Sequence, residues 1–218
     1  MLSKETIKFL KMLEKNNERQ WFNEHKDMFV RANDNIIAIT GDLIDRISKF
    51  DSSVAGIDPK SCVFRIYRDV RFSTDKSPYK TNLGAFITPG GKKNMLPGYY
   101  FHIQPGMFFA AAGKHMPDGA ELQRIRSYIA ANGDEFNRIV SGKAFSKRFG
   151  ELDGERLSRP PKGFDANHPA IEFLKLKSFT VSENFTEKDA VAPDYPKKLA
   201  SSFETAAPLV EFLRKAVA

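Results

Sequence analysis

The sequence has little of the chemistry that binds metals or forms crosslinks. Cys62 is the only cysteine among 218 residues, which excludes an intrachain disulfide and a zinc site built from cysteines of this chain. Its apolar surroundings predict a buried small side chain rather than a reactive thiol. The histidines are far apart and form no H-x-x-x-H or H-E-x-x-H pattern, so we expect no metal site. They are His25, His102, His115 and His168.

Familiar motifs of nucleotide binding and nucleophilic catalysis are also missing. The chain has no G-x-x-x-x-G-K-[ST] phosphate loop and no G-x-G-x-x-G after a strand. It has no G-x-S-x-G nucleophile elbow. Paired carboxylates stay open as a source of acid–base chemistry, because Asp69 and Asp75 flank one loop, although both have nearer cations in sequence. The sequence therefore indicates no particular cofactor.

Long apolar runs are absent as well. No segment reaches the roughly 18 apolar residues that a bilayer span requires. The first residues, Met1 to Glu5, lack the apolar core of a signal peptide. We therefore expect a cytoplasmic protein with no membrane partner, while the sequence leaves its oligomeric state open.

What the chain does have is positive charge and phenylalanine. Lys and Arg outnumber Asp and Glu by 34 to 27, which gives a net charge of +7, and 19 Phe accompany a single Trp. The rings predict a core filled by phenylalanine. The charge makes anionic partners plausible, whether nucleic acid, phosphorylated metabolites or an acidic protein, and does not select among them.

Apolar periodicity predicts helices at both ends of the chain. Ser3 is a good N-cap for a first helix that ends near Asn16. Residues 19–50 carry an apolar stripe and predict one amphipathic helix, or two joined near Gly41. Toward the C-terminus, residues 193–218 predict a further helical region. Pro208 is expected to break or restart it.

Period-two alternation predicts strands in the middle of the chain. The predicted strands cover residues 61–68, 83–88, 99–104 and 107–112, with a last one around 179–181. Pro105-Gly106 fits a type II turn, but tight hairpins prefer primed turns, so we expect a longer loop there. Short turns between strands favour an antiparallel sheet.

Together these elements predict the α+β class. We expect a mostly antiparallel sheet of about four to six strands, covered by N-terminal and C-terminal helices. No internal repeat or long linker interrupts the chain, so residues 1–218 are expected to form a single domain. In that domain, residues 1–50 are helical, 60–113 form the sheet, and 114–218 are helical and irregular.

The most distinctive stretch runs from Arg65 to Asn82 and reads R-I-Y-R-D-V-R-F-S-T-D-K-S-P-Y-K-T-N. Residues 69–78, which we call the charged loop, mix charges with Ser, Thr and Pro and predict a loop. Across the whole stretch five cations face two aspartates, an excess of three. These charges either pair with one another and fix the loop, or hold the carboxylate or phosphate of a ligand.

This stretch resembles the signature of a bacterial and fungal family of conserved hypothetical proteins, domain of unknown function 2461. The runs R-P-P-K-G-F-D at residues 159–165, H-P at 168–169 and G-Y-Y-F-H at 98–102 are similar to further landmarks of that family. The likeness covers nearly the whole chain. It implies one complete domain, and it implies no activity, substrate or catalytic residue.

Three functions are compatible with these residues. The first is binding of a phosphate-bearing or other anionic ligand by a cationic-aromatic pocket. The second is an enzyme acting on an anionic substrate, with His102, His25 or Tyr67 moving a proton. The third is a nucleic-acid or protein interaction module. The candidate ligand-binding residues are Arg65, Tyr67, Arg68, Arg71, Lys76, Tyr79, Lys80 and Arg159.

One strand face suggests where such a site would lie. On the strand at 99–104, Tyr99 and its alternate neighbours predict the core side, which leaves Tyr100, His102 and Gln104 on the other. If Arg65 and Tyr67 share that side of the sheet, the two faces form one polar-aromatic floor. The register of the strands decides this.

Overall fold

The computed structural model describes residues 1–218 and contains ten α-helices and four β-strands. The helices are α1 (Lys4–Lys15), α2 (Arg19–Glu24), α3 (Lys26–Ile47), α4 (Pro59–Cys62), α5 (Gly119–Ala131), α6 (Gly133–Val140), α7 (Lys143–Phe149), α8 (Ile171–Leu174), α9 (Glu187–Val191) and α10 (Tyr195–Val217). The strands are β1 (Leu83–Ile87), β2 (Gly98–Gln104), β3 (Met107–Lys114) and β4 (Phe179–Phe185). The α+β prediction is confirmed, with a strand count at the low end of the expected range.

The N-terminal helices begin and end for local reasons. Ser3 caps α1, since its hydroxyl accepts a hydrogen bond from the Glu5 amide at 3.2 Å. The predicted long helix is two helices, but they meet at His25 rather than at Gly41. His25 has non-helical backbone angles, and its ring nitrogen Nδ1 lies 2.8 Å from the Trp21 carbonyl oxygen. Gly41 stays inside α3, where the helix packs closely on Pro59.

The four strands form one antiparallel sheet in the order β1-β2-β3-β4. Gln104 pairs with Met107, so the β2–β3 hairpin has a two-residue loop and the expectation of a longer loop was wrong. Gly106 adopts a φ of +79°, which glycine tolerates without strain and the turn requires. The connection from β3 to β4 is long and contains α5 to α8.

Residues 61–68 do not form the predicted strand. Asp58 accepts a hydrogen bond from the Lys60 amide at 3.0 Å and Pro59 occupies the first turn, so α4 forms here instead. The chain then runs beside β1 with one isolated bridge, from Val63 to Ala85. Capping thus accounts for Ser61 and Cys62, while residues 63–68 make only two isolated bridges, Val63 to Ala85 and Tyr67 to Tyr79.

The sheet has one core face and one open face. Helix α10 contacts β3 and α3 contacts β1 on the core face. Along β2, Tyr99, Phe101 and Ile103 are buried there, as the alternation predicted. Forty-seven buried apolar residues belong to one hydrophobic cluster. The alternate residues of each strand lie on the open face.

Helix α10 continues through Pro208 without a break, contrary to prediction. The turns that follow bury Leu209, Val210, Phe212 and Leu213 almost completely. Burial of each such side chain is worth about 1.5–3 kcal/mol, which together exceeds the roughly 3 kcal/mol that proline costs inside a helix. None of the ten helices combines the length and the apolar character that a bilayer span requires.

Candidate functional site

The open face of the sheet holds a groove of about 970 Å³, which we call the sheet groove. All four strands contribute to its lining, together with the chain segment that follows α4 and the start of the charged loop. Rings, small residues and a few charged groups share the wall. The principal lining residues are Phe64, Arg68, Asp69, Lys80, Asn82, Gly84, Phe86, Tyr100, Phe109, Ala111, Lys114, His115, Asp153, Thr180 and Ser182.

Strand register explains why these residues meet. Tyr100 pairs with Phe86 on one side and with Ala111 on the other, and Ala111 pairs with Ser182. All four side chains belong to the open face, and small residues on β3 and β4 leave the space in front of the rings empty. Gly84 is required by close packing, since a Cβ there would lie 2.4 Å from the Phe101 carbonyl oxygen and 3.1 Å from the Tyr100 hydroxyl. The groove is therefore set by side-chain size along the strands.

Three neighbouring side chains of β2 form a hydrogen-bonded chain at the groove. The Tyr100 hydroxyl lies 2.8 Å from His102 Nδ1, and His102 Nε2 lies 3.1 Å from Gln104 Oε1. Since the Gln104 oxygen only accepts, Nε2 carries the proton and Nδ1 accepts from Tyr100. The His102 ring stacks on Phe109 with 4.7 Å between centroids. Asn82 Nδ2 also lies 3.4 Å from Nδ1, so His102 touches three lining residues without lining the groove itself.

Burial sets the protonation states of His102 and Tyr100. It lowers the pKa of His102, an effect that the hydrogen bond His102 donates to Gln104 opposes only in part. It also raises the pKa of Tyr100 to about 12. At neutral pH the pair is therefore a neutral imidazole and a protonated phenol.

Lys80 is the one lysine or arginine of the groove that is not paired with an acid. Its Nζ lies 5.4 Å from the centroid of the Phe64 ring, and it makes neither an ion pair nor a hydrogen bond. Burial lowers the pKa of Lys80, and the charge of nearby Arg65 lowers it further. The other groove cations are engaged: Lys114 donates to Glu121 at 2.8 Å, and Arg68 pairs with Asp75.

The charged loop is fastened mostly by its own residues. Arg68 pairs with Asp75 and also donates to the Ser77 carbonyl oxygen at 3.2 Å. Arg71 binds Asp69 through two nitrogens, at 2.9 and 2.6 Å. Separately, Lys76 donates to the Val70 carbonyl oxygen at 3.1 Å. Of these residues only Arg68 and Asp69 line the groove.

The same loop contacts lower the pKa values of its aspartates. Hydrogen bonds from the Ser77 hydroxyl and amide, and then from Arg68, lower the pKa of Asp75 to about 2. The Arg71 guanidinium lowers the pKa of Asp69. Both carboxylates are therefore charged at neutral pH and hold the loop by ionic hydrogen bonds.

Tyr67 and Tyr79 lie away from the groove, at the base of the charged loop. They form an isolated bridge with each other. The Tyr79 ring stacks on Phe22 at 4.0 Å, and Asn17 exchanges two hydrogen bonds with the Tyr79 backbone, at 2.9 and 3.1 Å. We call these rings and their neighbours the core-side aromatic cluster: Phe9, Trp21, Phe22, His25, Phe29, Tyr67 and Tyr79.

The candidate residues of the sequence thus separate in space. Lys80 and Arg68 line the groove, His102 touches its lining, and Arg65 stands near Lys80. The others do not line it, so the proposed floor lacks Tyr67 and takes Phe64 instead. These others are His25, Tyr67, Arg71, Lys76, Tyr79 and Arg159.

Several groove residues were not anticipated. Thr180 and Ser182 alternate with buried Phe179 and Val181 on β4, and that alternation was a readable signal for the open face. Asp153 reaches the groove through an isolated bridge to Thr180, which no local pattern announces. No three His, Cys, Asp or Glu side chains lie where they would hold a metal ion.

Comparison with known proteins gives a family but no characterised relative. No curated protein matches the chain. No solved structure matches it either. Residues 5–212 match the family described as "Conserved hypothetical protein (DUF2461)". Because that match covers nearly all of its 218 residues, the chain belongs to this family.

Proposed function

We propose that the sheet groove binds a small organic anion with a phosphate or carboxylate group and a flat apolar part. The observation that carries this proposal is the ammonium of Lys80 in the groove wall, which contacts the Phe64 ring and pairs with no acid. A partly desolvated charge without a partner is unfavourable, and an anionic ligand supplies the missing partner.

The rest of the wall supports an organic ligand rather than a bare ion. Phe64, Phe86 and Phe109 offer aromatic surface along the groove, and Asn82 adds a polar group beside Lys80 in sequence. Small-molecule sites typically combine apolar walls with a few polar groups that fix orientation. The groove volume of about 970 Å³ lies within the range of such sites.

The test is a thermal-shift screen of the protein, followed by calorimetry on any hit. The panel contains phosphate, sulfate, nucleotides, sugar phosphates, aromatic carboxylates and short oligonucleotides, each at low and moderate salt. We expect one class of small organic anion to raise the melting temperature in a saturable manner. Lys80→Gln should weaken that ligand about tenfold or more, or at least about 1.4 kcal/mol.

A matched lysine controls for the loss of charge. Lys93 is exposed on a short helical turn and is absent from the groove lining, so Lys93→Gln should leave binding unchanged. Equal binding by wild type and Lys80→Gln would remove the groove from the proposal. A shift given only by oligonucleotides, and lost steeply as salt rises, would instead favour a nucleic-acid surface.

A second candidate, proton transfer on the bound anion, is favoured by the Tyr100–His102–Gln104 chain. A neutral imidazole joined to a phenol is a usual acid–base arrangement. If a stabilising anion is also converted, His102→Gln should abolish product formation and leave the thermal shift in place. Product formation at the wild-type rate in that variant would exclude His102 from the chemistry.

A further inference from the structure

The environment of Lys80 is unusual for a lysine that only attracts anions. Its ammonium faces the Phe64 ring, and the charge of Arg65 lies nearby. The carboxylate of Asp69 lines the same groove but is held by two nitrogens of Arg71. Asp153 is the other carboxylate in the groove lining, and neither acid forms an ion pair with Lys80.

Two influences favour the free amine of Lys80. The face of the Phe64 ring attracts the ammonium, but burial and the nearby charge of Arg65 both disfavour it and lower the pKa of Lys80. Lysines that are desolvated, or placed next to another cation, are the ones that act as nucleophiles toward carbonyl groups. Lys80 combines the two conditions within a groove that has room for a small molecule.

We propose that Lys80 is a nucleophile that forms a Schiff base with an aldehyde or ketone carrying an anionic group. This inference rests on the proposed function and narrows its ligand to a carbonyl compound. The Lys80 nitrogen attacks the carbonyl carbon and forms a carbinolamine. Its oxygen then leaves as water with the two hydrogens of the neutral amine, and a C=N bond replaces the C=O bond.

Phe64 lies between Lys80 and Tyr100 in the groove wall. Its ring contacts Lys80 on one side and the Tyr100 ring on another, with 6.0 Å between the two ring centroids. Tyr100 stays a protonated phenol at neutral pH, so it adds no negative charge that would restore the ammonium of Lys80. The Arg68 guanidinium, which also lines the groove, adds positive charge to the wall that the anionic group approaches.

Reductive trapping tests the inference on the intact protein. Pyridoxal 5′-phosphate at low concentration, an aldehyde with a phosphate group, is added with sodium cyanoborohydride near neutral pH. Hydride adds to the imine carbon and a proton from water to the nitrogen, which gives a stable secondary amine. Peptide mapping then gives the labelling rate of each lysine in the same chain.

We expect Lys80 to be labelled faster than exposed Lys93, because the lowered pKa of Lys80 gives it a larger free-amine fraction near neutral pH. Labelling of Lys80 at or below the rate of Lys93 would overturn the inference. This comparison is made within the wild-type chain, so it does not depend on the folding of any variant.

Two variants separate this inference from simple anion binding. Lys80→Arg keeps the positive charge but cannot form an imine, so the fast labelling should vanish while thermal stabilisation by an anion persists. Arg65→Gln removes the neighbouring charge and should move the midpoint of the Lys80 labelling rate to higher pH. If an anion raises the melting temperature but Lys80 is not labelled preferentially, Lys80 is not a nucleophile and the proposed anion binding still holds.

Discussion

Two histidines in this protein stack on aromatic rings in nearly the same way and have different partners. The His25 ring lies 4.2 Å from Trp21 with 16° between the planes, and the His102 ring lies 4.7 Å from Phe109 with 12°. Stacking alone does not distinguish them. The hydrogen-bond partner of Nδ1 in each ring does distinguish the two histidines.

His25 forms a hydrogen bond with the backbone, whereas His102 forms hydrogen bonds with other side chains. Nδ1 of His25 donates to the Trp21 carbonyl oxygen one helical turn earlier, at 2.8 Å, where α2 gives way to α3. Nδ1 of His102 accepts from the Tyr100 hydroxyl, also at 2.8 Å. A histidine bonded to its own backbone fixes a helix end, while one bonded to a phenol can relay a proton.

The surroundings of the two rings differ in the same direction. His25 belongs to the core-side aromatic cluster, in which Phe22 is 1% exposed and stacks on Tyr79. Phe109 and Tyr100 are only partly buried and face the sheet groove. We infer that one cluster stabilises the fold and the other is available for a ligand. Substitutions in the two clusters should therefore have different effects on stability and binding.

The largest effect is expected in the core-side aromatic cluster. Phe22→Ala should lower the free energy of unfolding by about 3–5 kcal/mol, because it leaves a cavity among tightly packed rings. Phe109→Ala is the matched change in the groove and should cost only about 1 kcal/mol, since that ring is partly solvated. Urea denaturation measures both losses. Equal losses would show that the groove rings are as important for the fold as the core rings.

Sequence patterns predicted the strands well where alternation was long and flanked by turns. On β2 the core and open sides were assigned correctly, and β4 was located from Phe179 and Val181. The strand predicted at residues 61–68 is absent: an Asp58 cap and Pro59 start a helical turn that ends at Cys62, and residues 63–68 make only isolated bridges. The helix break predicted at Pro208 is absent for the opposite reason. Burial of the residues after Pro208 outweighs the local cost of proline inside a helix.

The site was harder to predict than the fold. Lys80 and Arg68 have the same apparent role in the sequence, yet Arg68 reaches Asp75 while Lys80 reaches no acid. Spacing along the chain does not reveal which cation a carboxylate will choose. Asp153 joins the groove only through tertiary structure. Charge content was therefore predictable, and the identity of the unpartnered charge was not.

A smaller loss of stability should follow from removing the Tyr100 hydroxyl, which is hydrogen-bonded to His102. Tyr100→Phe deletes the hydroxyl bonded to Nδ1 and should cost about 1 kcal/mol in the free energy of unfolding. Tyr67→Phe is the control, since the Tyr67 hydroxyl makes no hydrogen bond and its side chain is 52% exposed. If the two variants lose the same stability, the Tyr100–His102 bond contributes nothing measurable.

His102 should also add a pH dependence to the free energy of unfolding. Because the pKa of His102 is lowered from 6.5 in the folded state, the unfolded chain binds more protons just below that value. Its contribution to stability should therefore fall as pH drops below 6.5 and level off beneath the folded pKa. His102→Gln should remove this part of the slope and His25→Gln should keep it. Proton NMR of the ring should show a His102 midpoint below 6.5.

The smallest effect is expected at a ring that belongs to neither cluster. Phe72 sits in the charged loop with 96% of its surface exposed, and the Arg71 guanidinium is its one ring partner, at 5.8 Å. A ring that buries so little surface gains almost nothing from folding, so Phe72→Ser should change the free energy of unfolding by less than about 0.5 kcal/mol. Urea denaturation measures this change, and the loss measured for Phe109→Ala is the value to compare it with. A loss above about 1 kcal/mol would mean that Phe72 is covered in solution, because only burial of its ring supplies energy of that size.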